Sequence, residues 1–213
     1  MDSTIFLILL QDGVLNGAVY ALLGLALVLV FAVTRVIFIP QGEFVAYGAL
    51  TLAFMINGQI PGTVAMLLIA GVVTFLMQLW SAARYKNWST LPKAALGSLV
   101  LPIALFLLAP YVVSETTPLW LNVVFALALV IPLGPMIYRI AYQPVAEASV
   151  LVLLIISVAV HFAMLGLGLV FFGAEGWRTP PFLEGEIAMG PISWSAQTFF
   201  VLGTAAILII ALW

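Results

Sequence analysis

The residues of this chain that could act chemically are few, and they stand in hydrocarbon. Glu43 falls in the run Phe38-Ile39-Pro40-Gln41-Gly42-Glu43-Phe44. From Glu43 to Asn57 a helix rises only about 21 Å, short of a hydrocarbon core of about 30 Å. Either the helix continues back through Pro40, or Glu43 opens a half-helix within the membrane. In both cases the carboxylate lies at or just below the interface. An ionised carboxylate at depth costs on the order of 3 kcal/mol, so such a group faces a cavity or a partner. Pro40 and Gly42 suit that reading, because a break with exposed backbone groups is tolerated only against protein or water. The simpler alternative is a Glu43 that caps a helix start at the cytoplasmic boundary and reaches water. His161, the only histidine, lies mid-way along an apolar run with Ser157 one turn away. Asn16 lies in another such run. For each, a hydrogen bond to a neighbouring helix stands beside a place in a substrate or proton pathway.

No catalytic set accompanies these residues. The absence of Cys excludes disulfides, thiol catalysis and Cys-ligated metal. One His, no His/Glu cluster and no Gly-rich phosphate loop leave no recognisable hydrolase, metal or nucleotide site. Six Lys and Arg against eight Asp and Glu give a net charge of -2, with no basic face for nucleic acid and no polybasic lipid-binding run. The chain is therefore expected not to be an enzyme and to hold no cofactor or metal of its own.

The elements that carry these residues are membrane helices. With 65% hydrophobic and 7% charged residues, the chain supplies several stretches of the roughly 20 apolar residues that a crossing needs. Spans are expected at roughly 13–33, 41–57, 61–80, 94–113, 118–138, 150–172 and 195–213, parted by turn-forming breaks such as Asn57 to Gly62. The expected fold is all-α, a polytopic bundle of about seven spans forming one domain over 1–213. Thr4 to Leu10 is apolar but interrupted by Gln11 and Asp12, and reads as an interfacial lead-in. Gly13, Gly17, Ala21 and Gly24 make a smooth stripe on which another helix can approach closely.

Charge suggests the orientation. Arg35, Arg84, Lys86, Lys93 and Arg139 fall in loops that alternate onto one side, which the positive-inside rule makes cytoplasmic. Asp2, Glu115, Glu175, Glu184 and Glu186 fall on the other side, with Arg178 the basic exception, so the amino terminus is expected outside. Asn87-Trp88-Ser89 has the form of a glycosylation sequon but lies on the wrong side. The longest cytoplasmic loop is Ser81 to Lys93. On the outer side, Gly173 to Trp194 carries Trp177, Arg178, Phe182, Glu184 and Glu186, a mixture that suits docking to a soluble partner; the alternative is a folded-back loop whose aromatics sit at the membrane interface.

Several stretches, taken in order, resemble bacterial branched-chain amino-acid ABC transporter permeases. They are Asn16-Gly17, Tyr20-Ala21-Leu22, Gln41-Gly42-Glu43-Phe44 with Tyr47-Gly48-Ala49, Ala141-Tyr142-Gln143-Pro144-Val145, and Phe172-Gly173-Ala174-Glu175. They cover roughly residues 11–57 and 138–175. The chain departs from the family at Phe38 to Gln41, where Asn-Phe-Ala-His is usual, and at Gln143, where an Arg is usual. It also has room for an added hairpin between Gly58 and Pro135. The resemblance implies a multi-pass permease of the bacterial inner membrane. Its partners would be membrane lipid, a second permease subunit, cytoplasmic ATPase subunits holding ATP and Mg, and a periplasmic solute-binding protein. Implied solutes are branched-chain amino acids or relatives such as amides, urea and small carboxylates. Glu43 and Gln41 are the implied pathway or gate groups, in company with Tyr47, Asn16 and His161, while Gly42 and Gly48 permit the break and close packing. The resemblance further implies that Trp213 falls inside a span and that the permease domain continues beyond it. The alternative is an accessory membrane subunit that uses the same helices only to pack in a larger assembly.

The orientation is checked with cysteines introduced singly at Ser89 and Thr116 of this Cys-free chain. In intact cells an impermeant thiol reagent should label position 116 and leave position 89 unmodified; the reverse pattern inverts the topology.

Overall fold

The computed structural model describes residues 3–86, 88, 92, 95–114, 116–189 and 192–212. Asp2, Lys93 and Glu115, which enter the charge argument, lie outside the described residues, as do Asn87 and Ser89 of the sequon and Trp213. The described chain is mostly helical, with one short hairpin and irregular connections, the longest at 173–185. The segments Ile5–Thr34, Gly62–Tyr85, Leu119–Val145 and Val150–Phe172 are long and apolar enough to cross a membrane, and three shorter apolar helices accompany them. By Cα proximity the chain forms two compact units, Met1–Phe38 with Pro180–Trp213, and Ile39–Thr179.

The first unit is built on α1 (Ser3–Thr34) and a C-terminal helix, Ala196–Leu212, which lie against each other. Helix α1 runs without interruption through Gln11 and Asp12, so Thr4 to Leu10 is its first turns and not a separate lead-in. Neither residue blocks helical backbone as Pro would, and both have only modestly lower propensity than Ala. The resulting 32-residue helix is about 48 Å long, well beyond a core of about 30 Å. Its stripe is not covered: Gly13, Gly17, Ala21 and Gly24 are exposed, and a Cβ at any of these glycines would meet nothing within 4 Å. The loop expected before the last helix contains β1 (Glu186–Met189), paired antiparallel with β2 (Ile192–Ser195) so that Glu186 faces Ser195. Ser195 then caps the last helix, its Oγ accepting from the Thr198 N–H at 3.3 Å.

The second unit holds α2 (Gln41–Ile56), α3 (Gly62–Tyr85), α4 (Leu101–Val112), α5 (Leu119–Val130), α6 (Leu133–Ile137) and α7 (Val150–Phe172). Proline sets most of the starts: Pro40, Pro61 and Pro118 stand at the N-caps of α2, α3 and α5, and Pro132 at that of α6. Proline has no N–H to offer the preceding turn, so the helix begins where it stands. Helix α3 ends on Lys86 in the left-handed region at φ 54°. Ser81 to Tyr85 are therefore helix, and the expected Ser81 to Lys93 loop is shorter than its sequence suggests. A π-helical turn, Leu96–Val100, leads into α4. Another, Tyr138–Tyr142, follows α6 and passes into a 3₁₀ turn at Gln143–Val145, carrying this span past its expected end at 138. Ser149 caps α7, accepting from the Val152 N–H at 3.4 Å, and Gly173 ends it at φ 80°.

Met55, Leu67, Leu129, Leu133 and Met164 are buried at the centre of this unit. Between α2 and α3 the hydroxyls of Thr51 and Thr63 meet at 2.8 Å, a satisfied polar pair in an apolar contact. Close backbone approach occurs at Gly62, where a Cβ would lie 2.5 Å from the Phe171 carbonyl oxygen, and at Gly71, where it would overlap the Ser98 carbonyl oxygen. Gly42 and Gly48, the glycines expected to permit close packing, have nothing within 4 Å of a Cβ. Gly71→Ala should therefore lower the thermal midpoint of the detergent-purified chain, because overpacking costs about 1–3 kcal/mol. Gly48→Ala should leave it unchanged or raised, since alanine is the better helix former. Equal midpoints for the two variants would mean that α3 and the Leu96–Val100 turn do not meet as described.

Candidate functional site

Two of the second unit's helices carry polar groups at the same period. On the α2 side these are Ile39, Glu43 and Tyr47, each four residues from the last. On α7 they are Ser157, His161 and Met164, followed by Gly168. A spacing of three or four residues keeps each set on one helix face. The rungs join in matching order, so α2 and α7 run in the same direction along this contact.

The first rung repairs the break at Pro40. The Ile39 N–H donates to Ser157 Oγ at 3.4 Å, and the Ser157 hydroxyl also meets the Tyr142 hydroxyl at 2.9 Å. Ser157 and Tyr142 are buried, so this bond satisfies an amide left outside any helix.

The second rung is the charged one. Glu43 is buried, at 8% exposure, and its Oε1 lies 2.8 Å from His161 Nδ1. The distance is that of an ion pair, but the ring N–H is not aligned to make it a hydrogen bond. The contact sets two ionisable side chains against each other, as such groups pair when they are placed among apolar helices. Glu43 Oε2 is buried without a hydrogen-bond partner, while His161 keeps 30% of its side chain accessible. The helix-capping alternative for Glu43 does not describe this geometry. Its side chain makes no cap bond to the α2 start and is buried.

The third rung is aromatic. Tyr47 Oη donates to the Met164 carbonyl oxygen, using a lone pair left over from the helix ladder. The ring fits because residue 168 is glycine: a Cβ there would lie 3.3 Å from Tyr47 Cε1. Tyr47 also packs on Phe172, with centroids 5.7 Å apart, and lines an apolar cavity of about 370 Å³ together with Met66, Ile69, Val160, Met164 and Leu167.

Of the residues singled out from sequence, Glu43, Tyr47 and His161 are thus brought together. Gln41, Gly42 and Gly48 lie on the same helix, with Gly42 exposed and the other two half-buried. Asn16 is exposed on α1, in the other unit. Trp177 and Arg178 belong to the second unit and Phe182, Glu184 and Glu186 to the first. Trp177 is not a free anchor: its ring lies on Phe54, centroids 4.4 Å apart, and its Nε1 is buried. An indole has a large apolar area to hide, and Phe54 offers the surface. Phe182 stacks on Phe200 at 5.6 Å, and its N–H donates to Gln197 Oε1 at 2.9 Å, leaving Arg178, Glu184 and Glu186 exposed.

Ser157, Tyr142, Met164 and Gly168 complete the site and were not singled out as its parts. A usable signal existed for the charged rung. An ionisable group in a span seeks another, and the chain has a single histidine. Comparison with family models, with curated proteins and with solved structures returns no match.

Coupling between Glu43 and His161 is measured with a double-mutant cycle on thermal or denaturant unfolding in detergent. Glu43→Ala and His161→Ala should each destabilise by on the order of 1–3 kcal/mol, below the range for a fully buried pair because His161 is partly accessible. The double variant should lose less than the sum. Strict additivity would mean that the two groups do not interact.

Proposed function

We propose that this chain is a permease component of a binding-protein-dependent ABC importer in the bacterial inner membrane. It would carry branched-chain amino acids or related small solutes such as amides, urea or small carboxylates. The observation that carries the reading is Glu43 Oε2, a buried acceptor with no partner, placed at a helix break between α2 and α7. Structural ion pairs inside apolar bundles satisfy their lone pairs; an open acceptor at a break is where transporters take up a polar group. Tyr47 joins this rung to the apolar cavity beside Val160 and Met164. An ammonium or amide N–H at Glu43 with a branched apolar tail in that cavity matches the chemistry of the implied solutes.

Seven spans with the amino terminus outside belong to the same reading. The common direction of α2 and α7 supports it, because an alternating bundle with three crossings between them requires their helices to be parallel. A second permease subunit, two ATPase subunits and a periplasmic binding protein complete the proposed assembly, with ATP and Mg held by the ATPases.

One observation favours the accessory-subunit alternative. The smooth face of α1, including Asn16, is exposed along its length, which suits a helix whose task is to pack against another chain. Purification in mild detergent separates the readings. Co-purification of an ATPase and a related permease supports transport, whereas only unrelated membrane subunits would support the accessory role.

Within the assembled system, Glu43→Gln keeps the shape of the side chain and removes its charge. Uptake of radiolabelled leucine should fall at least tenfold in Glu43→Gln and in Glu43→Ala, the change that about 1.4 kcal/mol of lost interaction with the solute produces. Wild-type uptake by both variants would refute the pathway role.

A further inference from the structure

One basic feature of the fold is invisible as a sequence run. Arg84, in the last turn of α3, and Arg139, in the π-helical turn after α6, are 55 positions apart in sequence and line one cavity of about 380 Å³. Ser81, Tyr85, Gln143 and Gln78 contribute its polar wall, and among the described residues no acidic side chain lines it. Among the described residues neither arginine has an ion-pair partner. Gln78 Oε1, in the same cavity, is buried and without a hydrogen-bond partner. Two unpaired guanidinium groups facing one space attract a phosphate, whose oxygens match their forked donors. The orphaned amide oxygen needs a donor, which a hydroxyl supplies.

The cavity does not stop at its polar wall. Met77 and Trp80 also line a second, apolar groove of about 350 Å³, which Val73 and Leu76 extend toward the middle of α3. Trp80 is 73% exposed, as befits an indole at the level of lipid headgroups. A charged recess at the end of a spanning helix, continuous with a hydrocarbon groove along that helix, has the polarity profile of a phospholipid lying lengthwise.

We propose that this recess is a binding site for an anionic phospholipid with a hydroxyl-bearing headgroup, of the phosphatidylglycerol type. The phosphodiester lies between Arg84 and Arg139, a headgroup hydroxyl donates to Gln78, and an acyl chain follows Val73, Leu76 and Trp80. Basic pockets between helices at the cytoplasmic end of a bundle select anionic headgroups in this way. The site rests on the chain's being membrane-embedded and is independent of whether it transports a solute.

The test uses the full chain in nanodiscs of phosphatidylcholine containing a fixed fraction of acyl-brominated lipid, with tryptophan fluorescence as the readout. Brominated phosphatidylglycerol should quench more than brominated phosphatidylcholine, and Trp80→Phe should remove the excess. Arg84→Gln and Arg139→Gln should each weaken the lipid's apparent affinity about fivefold, and the double variant should abolish the excess without moving the thermal midpoint. Equal quenching by the two lipids, or an excess that survives the double variant, overturns the proposal. Loss of the excess on adding inorganic phosphate, against chloride at matched ionic strength, would assign the recess to a soluble anion and overturn the lipid source.

Discussion

A carboxylate set between apolar helices needs a polar partner, and at Glu43 that partner is His161, whose Nδ1 lies 2.8 Å away. That requirement organises the larger unit. It fixes α2 against α7 at one height, and because helical side chains recur every three or four residues, fixing one rung fixes the others. Ile39 then falls opposite Ser157, and Tyr47 opposite Met164 and Gly168. A slip of one residue in either helix would turn Glu43 out of reach of the imidazole and leave a charge buried alone, an outcome that costs several kcal/mol. The apolar surface around the site could tolerate such a slip; the ion pair cannot.

The break at Pro40 is tolerable for a related reason. In hydrocarbon an unpaired N–H costs several kcal/mol, and proline at a helix start leaves the chain before it without a ladder. Ser157 supplies the missing acceptor for Ile39, and Tyr142 engages the other side of the same hydroxyl. Helix α2 is thereby allowed to begin late. Its 16 residues span about 24 Å, less than a core of about 30 Å, so the acidic first turn sits where a longer helix would have carried it to the surface. Shortness and burial of the charge are two aspects of one arrangement.

Much of this was legible in the sequence, and the limits have physical causes. Helix positions followed from the apolar runs and from Pro and Gly at their ends, which is why α2, α3 and α7 begin within a residue of expectation. The extension of α1 through Gln11 and Asp12 was missed because polar residues mark an interface without stopping a helix. The end of α3 was misplaced because Ser81 to Tyr85 look like a loop by charge while retaining helical propensity. Glycines were misleading: spacing alone could not tell Gly62 and Gly71, which face another backbone, from Gly48 and the glycines of α1, which face open space. Glu43 and His161 stood out singly, but their contact bridges 118 positions, a separation at which local pattern carries no geometry. The same holds for Arg84 and Arg139, whose joint charge exists only in the fold.

The segment from Tyr138 to Val145 shows how one irregularity serves both ends of this arrangement. A π-helical turn admits an additional residue per turn and re-aims the side chains that follow, and such turns are frequent at functional positions. Here it places Tyr138 and Tyr142 with rings stacked at 6.2 Å, sends the Tyr142 hydroxyl inward to Ser157, and leaves Arg139 and Gln143 on the wall of the cationic recess. The closing 3₁₀ turn at Gln143–Val145 then tightens the chain so that Ser149 can cap α7 only a few residues on. The inward face of this short stretch holds the serine that repairs the break before Glu43, and its outward face completes the basic recess; displacing it would disturb both, although neither Glu43 nor Arg84 lies within it.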